Sequence, residues 1–343
     1  MGLCTGSPGA YPRRVRNRIP GWLRDRRTIV ALELVVFAVF LGALGWAVRD
    51  VWGDAAPRLR HANVVDLAIA LAIVAVYYLV FVVGWVRILA AYGIRIPYTV
   101  ALQAEMISML AKYVPGGVWT PAARVVALRK FGVKETPVVL ATILLEAGLS
   151  AVAGVLVFAV GFAIVGGGDA PLLPLAAFFV VVSFLLHPRV FRPVARRLLR
   201  PFGAEEVEAL PTRTAVGLVA FYALTWPLGG AALFFLLRAV GGDPDLASIP
   251  FLGGASAVGA IVAVLAVFAP SGLGVREASM YGLMLAVAAE GAALGATVLN
   301  RLAITVVEAG LLVAGALFLR GRGGVAAADA ETQGTADLVP QSR

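Results

Sequence analysis

Apolar runs of about 20 residues recur along this chain, and that recurrence decides which solvent it folds in. Inside a bilayer no water satisfies a peptide N–H or C=O, so a crossing segment closes its hydrogen bonds within a helix or a closed barrel. Runs at 29–48, 64–91, 137–165, 172–186, 214–237 and 294–319 are too long for barrel strands and suit helices. Hydrophobic residues make up 60 % of the chain and charged residues only 14 %, against about 25 % charged in soluble domains. The expected fold is an all-α polytopic membrane protein. Residues 29–320 read as one transmembrane domain, between a basic tail at 1–28 and a disordered tail at 321–343.

Two further apolar stretches are interrupted in the middle. Residues 98–114 meet Pro115-Gly116-Gly117 before 118–131, and residues 249–269 meet Pro270-Ser271-Gly272 before 273–289. Proline removes a helix donor and glycine loosens the turn, so each stretch is expected as two half-helices in a re-entrant hairpin. The sum is about six full spans plus two broken hairpins. The order span, hairpin, span occurs at 64–165 and again at 214–319, and both last spans carry Glu-Ala-Gly-Leu, beginning at Glu146 and Glu308.

Charge sets the orientation. The net charge of +9 sits in short loops, which points to membrane topology and not to nucleic acid. With the N-terminal tail cytoplasmic and each hairpin returning to its own side, the inside segments hold 20 Lys and Arg and the outside loops 4. Both termini are therefore expected inside, in a multi-pass protein of the cytoplasmic (inner) membrane. The first repeat then enters its hairpin from inside and the second from outside. Paired broken helices in inverted repeats point to a binding site near the bilayer midplane.

Ionisable residues inside the apolar stretches are Glu33, Glu105, Lys112, Arg124, Glu146, Arg276, Glu277, Arg301 and Glu308. Each charge costs about 2.5–3.5 kcal/mol at a span centre, so these residues must pair, lie near an end or line a wet cavity. Helical spacing groups Glu105, Ser108 and Lys112, then Thr142, Glu146 and Ser150, then Arg301, Thr305 and Glu308. Such stripes serve either a polar interior or plain interhelical bridging. The breakers add a second pattern. Thr120-Pro121 reads as an N-cap and first helical residue ahead of Arg124, and Gly272-Leu273-Gly274 leads into Arg276. Free N–H groups, a positive dipole end and a guanidinium suit a phosphate or carboxylate. The alternative is that Pro and Gly only bend the chain and Arg276 pairs locally with Glu277.

The candidate binding residues are thus Arg124, Arg276, Gly116, Gly117, Thr120, Ser271, Gly272 and Gly274. Glu146, Glu277, Arg301, Glu308, Glu105 and Lys112 are candidates for charge balance or proton coupling. Cys4 is the only cysteine and the two histidines, His61 and His187, fall in or beside loops, so neither a metal centre nor a cofactor is expected. Hydrolase signatures such as Gly-x-Ser-x-Gly and His-Glu-x-x-His are missing, which argues against an enzyme. Trp46, Trp52, Trp85, Tyr92, Tyr98 and Trp119 read mostly as interface anchors.

Lys112-Tyr113-Val114-Pro115-Gly116-Gly117-Val118-Trp119, with Arg124 and Arg129 after it, and Pro270-Ser271-Gly272-Leu273-Gly274-Val275-Arg276-Glu277-Ala278 together resemble the lysylphosphatidylglycerol synthase transmembrane-region family. The likeness runs over about residues 28–320. The family often has Pro-Gly-Gly-x-Gly at the second motif, where Ser271 stands here, and many members have glycine where this chain has Trp119. The resemblance implies a translocator of lipids or polyprenyl-linked saccharides, and a stand-alone member without the family's soluble synthase domain is expected. The expected function is flipping of an anionic phospholipid or polyprenyl-phosphate-linked saccharide, with that membrane lipid as the partner. The alternative is a non-transporting membrane subunit that positions a glycosyltransferase or lipid synthase through the basic 188–213 loop.

Overall fold

The computed structural model describes residue 49 and residues 52–112, 119–165, 172–200, 208–266 and 269–336. The N-terminal tail, the 29–48 run, Gly116, Gly117 and the last seven residues lie outside them. Every regular element among the described residues is helical. These are α1 (Val64–Ala91), α2 (Tyr98–Ala111), α3 (Trp119–Lys130), α4 (Thr136–Val165) and α5 (Leu172–Leu186). They continue as α6 (Pro188–Leu199), α7 (Thr212–Ala239), α8 (Ile249–Leu265), α9 (Val275–Met284) and α10 (Glu290–Ala336). The described chain is an all-α polytopic membrane protein, with five helical segments long and apolar enough to cross a bilayer.

Four features differ from expectation. The five segments include Leu246–Leu265, 20 residues long, so the first arm of the second hairpin is no half-helix. By contrast α5 has 15 residues, about 22 Å at 1.5 Å per residue and short of a 30 Å hydrocarbon core. The basic 188–213 segment is not simply a loop, because α6 occupies most of its first half. Phe191, Ala195 and Leu199 recur at helical spacing and are buried, while Arg192, Arg196 and Arg197 stay exposed. Finally, α10 continues to Ala336 through an alanine-rich stretch with no proline to stop it, where a disordered tail was expected from residue 321.

The two halves pack as inverted copies. The first spans, α1 and α7, lie side by side and antiparallel. Asn63 N–H donates to the Ala239 carbonyl at 2.8 Å, the Tyr77 and Trp226 rings are 6.1 Å apart, and Arg87 stacks 5.3 Å from the Phe221 ring. The remaining contacts are reciprocal. The last span of the first half, α4, packs on α8 of the second, and α10 packs on α2 of the first. Both pairs run antiparallel, since Gly154 faces Ala257 where Gly161 faces Phe251, and Glu308 meets Lys112 where Gly315 faces Gln103.

Small residues set the approach at α4 and α8. A Cβ on Gly161 would stand 2.3 Å from Phe251 N, and one on Gly254 would stand 2.3 Å from Phe158 Cα. The backbones touch there, as small-residue crossings in membranes allow. Both hairpins fold back. The arms α2 and α3 pack on each other, and α9 returns along α8 so that Met280 and Arg276 lie against Gly259. The first hairpin opens from the end where α1 finishes, and the second from the end where α1 starts. Lys112, the last described residue of the first arm, meets Glu308 of α10, and Arg301 of the same helix meets Ser271 at the second tip.

Candidate functional site

At the first hairpin α3 is already helical at Trp119, so Thr120 lies within its first turn and not ahead of it as a cap. Arg124 therefore falls in the second turn, away from the helix N-terminus, and is 4 % exposed. Its guanidinium pairs with Glu105 of α2 and Glu146 of α4, and lies 4.5 Å from the Trp85 ring centre. Trp85 is wholly buried, which corrects its reading as an interface anchor. Its indole N–H donates to Thr142 Oγ1 at 3.1 Å, and that hydroxyl donates to the Val139 carbonyl at 2.7 Å. Arg124 thus meets two carboxylates, where an anionic headgroup was expected. Two buried polar atoms, Arg124 Nε and Glu146 Oε1, have no hydrogen-bond partner among the described residues.

On α10 Arg301 and Glu308 share a face yet do not pair, because seven residues separate them by about 10 Å along the axis. Glu308 instead accepts from Tyr78 of α1 and Lys112 at the end of α2. Arg301 reaches the second hairpin, with contacts to Glu277 Oε1 at 3.3 Å, the Ser271 carbonyl at 3.4 Å and Ser271 Oγ at 3.2 Å. One helix thereby holds both hairpins. Thr305 leaves the stripe, since it is exposed and donates back to the Arg301 carbonyl at 2.9 Å.

The second tip is a left-handed turn, with φ of 56° at Ser271, 62° at Gly272 and 83° at Gly274. Glycine tolerates this geometry; serine bears it at a cost. Gly272 serves the turn itself, because a Cβ there would stand 2.2 Å from Ala263 Cβ. The N-terminus of α9 is already occupied by a carboxylate, for Glu277 Oε2 accepts the Gly274 N–H at 2.6 Å. That placement takes up an amide expected to face an outside anion.

Arg276 is differently placed. It makes no hydrogen bond or ion pair with the described residues, and its Nε is buried. Its stem lies against Gly259, while its charge acts on Tyr77, Tyr78 and Lys112. Neighbours on a helix point about 100° apart, so Glu277 turns to Arg301 and leaves Arg276 facing the centre. Tyr77, Tyr78 and Tyr222 were not singled out in the sequence, although paired aromatics midway along a 28-residue run sit where interface anchors do not belong.

The described central charges comprise four cations and four carboxylates. Lys112 balances Glu308 and Arg301 balances Glu277, but Arg124 serves two carboxylates while Arg276 serves none. The cluster is neutral in sum and polarised in detail, a positive site at Arg276 beside a negative one at Arg124. No group of His, Cys, Asp and Glu among the described residues could hold a metal ion.

No curated protein matches the chain. Its residues 30–311 do match a family described as the Lysylphosphatidylglycerol synthase TM region, in keeping with the two hairpin motifs and the helical bundle around them. That match covers well over half of the chain, and the protein belongs to this family of membrane proteins.

Proposed function

We propose that this protein translocates an anionic phospholipid or a polyprenyl-phosphate-linked saccharide across the cytoplasmic membrane, and that it does so without chemistry on the lipid. The observation that carries this reading is Arg276, the central cation with no partner among the described residues, placed on the second hairpin within reach of Tyr77, Tyr78 and Lys112. Arg276 is part-buried with its Nε inside the protein, and a phosphate supplies the missing counter-charge together with acceptors for a bidentate guanidinium. Acyl or prenyl chains stay in lipid while the headgroup passes the tips. By the excess of basic residues, the end carrying α6 and the hairpin formed by α2 and α3 faces the cytoplasm.

The test is reconstitution in vesicles with a trace of headgroup-labelled phosphatidylglycerol, quenched from outside. Arg276→Ala should slow exchange by about tenfold or more, the factor that 1.4 kcal/mol of lost headgroup binding gives. Arg276→Lys should retain part of the rate, because it keeps the charge and loses the fork. Exchange in Arg276→Ala equal to the parent would refute the assignment.

A second reading is favoured by α6. Its exposed Arg192, Arg196 and Arg197 offer a docking face for a membrane glycosyltransferase or lipid synthase, with this chain as a non-transporting subunit. Co-purification of such an enzyme, lost on replacing these arginines, together with no lipid exchange, would support it.

A further inference from the structure

Charge bookkeeping around Arg124 leaves a carboxylate without a counter-ion. Glu105 and Glu146 are 2 % and 4 % exposed, and both lie on the single guanidinium of Arg124. The neighbours among the described residues do not make up the deficit. From α1 come the neutral Trp85 and Tyr77, and from α7 the neutral Tyr222, whose hydroxyl is buried without a partner. From α4 comes Thr142, its hydroxyl engaged by Trp85 and Val139. Lys112 of α2 also acts on Glu105, but its charge is matched by Glu308 of α10, which acts there with the opposite sign. Glu146 Oε1 is left buried and without a partner among the described residues.

We propose that Glu105 and Glu146 hold one proton between them, so that the trio with Arg124 is a proton-binding site inside the bundle. Two carboxylates that share a dry site and one cation cannot both ionise cheaply, and the proton belongs to the pair, not to either residue. A sodium ion is the poorer fit, because it needs a shell of several oxygens and the hydroxyl of Thr142 is already engaged. Tyr77 lies within reach of Arg276 and of both carboxylates, which sets the two sites on either side of one neutral ring. A phosphate docking on Arg276 would cancel its positive charge and favour retention or uptake of a proton at the trio. That role rests on the headgroup reading above; the existence of the site does not.

Infrared spectroscopy of the full chain in lipid nanodiscs tests it. The parent should show the C=O band of a buried carboxylic acid at neutral pH, about one per chain. The band should disappear in Glu146→Gln and in Glu105→Gln, because one carboxylate and one guanidinium then balance, and should persist in the control Glu290→Gln, at an exposed position. If neither variant folds, the parent still decides by the presence of the band and its loss on titration to alkaline pH. No acid band in the parent, or a band that survives both substitutions, overturns the proton site. The linkage is read separately, in weak buffer with a pH-sensitive dye. Short-chain phosphatidylglycerol should draw up protons, and phosphatidylcholine of the same chain length should not. An intact band with no difference between the two lipids would overturn the linkage alone. A band that persists in Arg276→Ala while phosphatidylglycerol exchange is unaffected by that substitution would refute the headgroup reading and leave the proton site standing.

Discussion

Replacing Arg124 by leucine removes the cation from a site that holds two carboxylates, and the cost follows from how deeply they are buried. Breaking a buried ion pair by deleting one partner costs about 3–5 kcal/mol, because the other charge stays where water cannot reach it. Glu105 and Glu146, at 2 % and 4 % exposed, meet that condition. Loss of the guanidinium over the Trp85 ring, 4.5 Å from its centre, adds about 1 kcal/mol. A total of about 4–6 kcal/mol lowers the midpoint of thermal unfolding by on the order of 10 °C, at 2–4 °C per kcal/mol for a chain of this size class. Either Glu→Gln exchange keeps one carboxylate on Arg124 and should cost only about 1 kcal/mol, the worth of one hydrogen bond. Thermal denaturation in detergent, followed by the monodisperse fraction on gel filtration, measures all three. An Arg124→Leu midpoint within 2 °C of the parent, or a Glu146→Gln loss as large as that of Arg124→Leu, would refute the argument.

Two structural predictions concern the scaffold around the site. Gly161→Ala places a Cβ 2.3 Å from Phe251 N, forces α4 and α8 apart, and should cost about 1–3 kcal/mol; the same unfolding assay checks it. At Ser271, held at φ 56°, glycine relieves about 1 kcal/mol of strain but forfeits the 3.2 Å contact from Arg301, so Ser271→Gly should be close to neutral. Ser271→Ala loses the contact and keeps the strain, and should be the less stable of the two variants by about 1 kcal/mol.

Much of the fold could be read from runs of apolar residues. The run at 64–91 coincides with α1, which Asn63 caps, and that at 172–186 with α5, which stops ahead of His187, the cap of α6. The second hairpin was read less well. Hydropathy continues past Leu265 to residue 269, so the run alone did not show that the helix ends there and the left-handed turn begins at Ser271. Helix α6 escaped the apolar criterion altogether, since its buried stripe alternates with arginine and only the 3.6-residue period betrays it. The site was legible as residues but not as pairs. Periodicity puts Arg301 and Glu308 on one face, and it cannot tell that each bonds to a different hairpin.

The scaffold repeats and the chemistry does not. Both α4 and α10 carry Glu-Ala-Gly-Leu, and their packing on α8 and α2 is reciprocal. Yet Glu146 meets Arg124 of the adjacent hairpin in its own half, whereas Glu308 crosses to Lys112 in the other half. With Arg301 on the second tip, α10 is thus tied by charge to both hairpins, while the described ion pairs of α4 reach only the first. Separating the first hairpin from α10 would take the cation of Lys112 from Glu308, which is buried. Drawing it away from α4 would do the same to Glu146 and leave Glu105 as the remaining partner of Arg124. The two separations differ in which carboxylates lose their cation, so one symmetric fold gives its hairpins unequal electrostatic restraints.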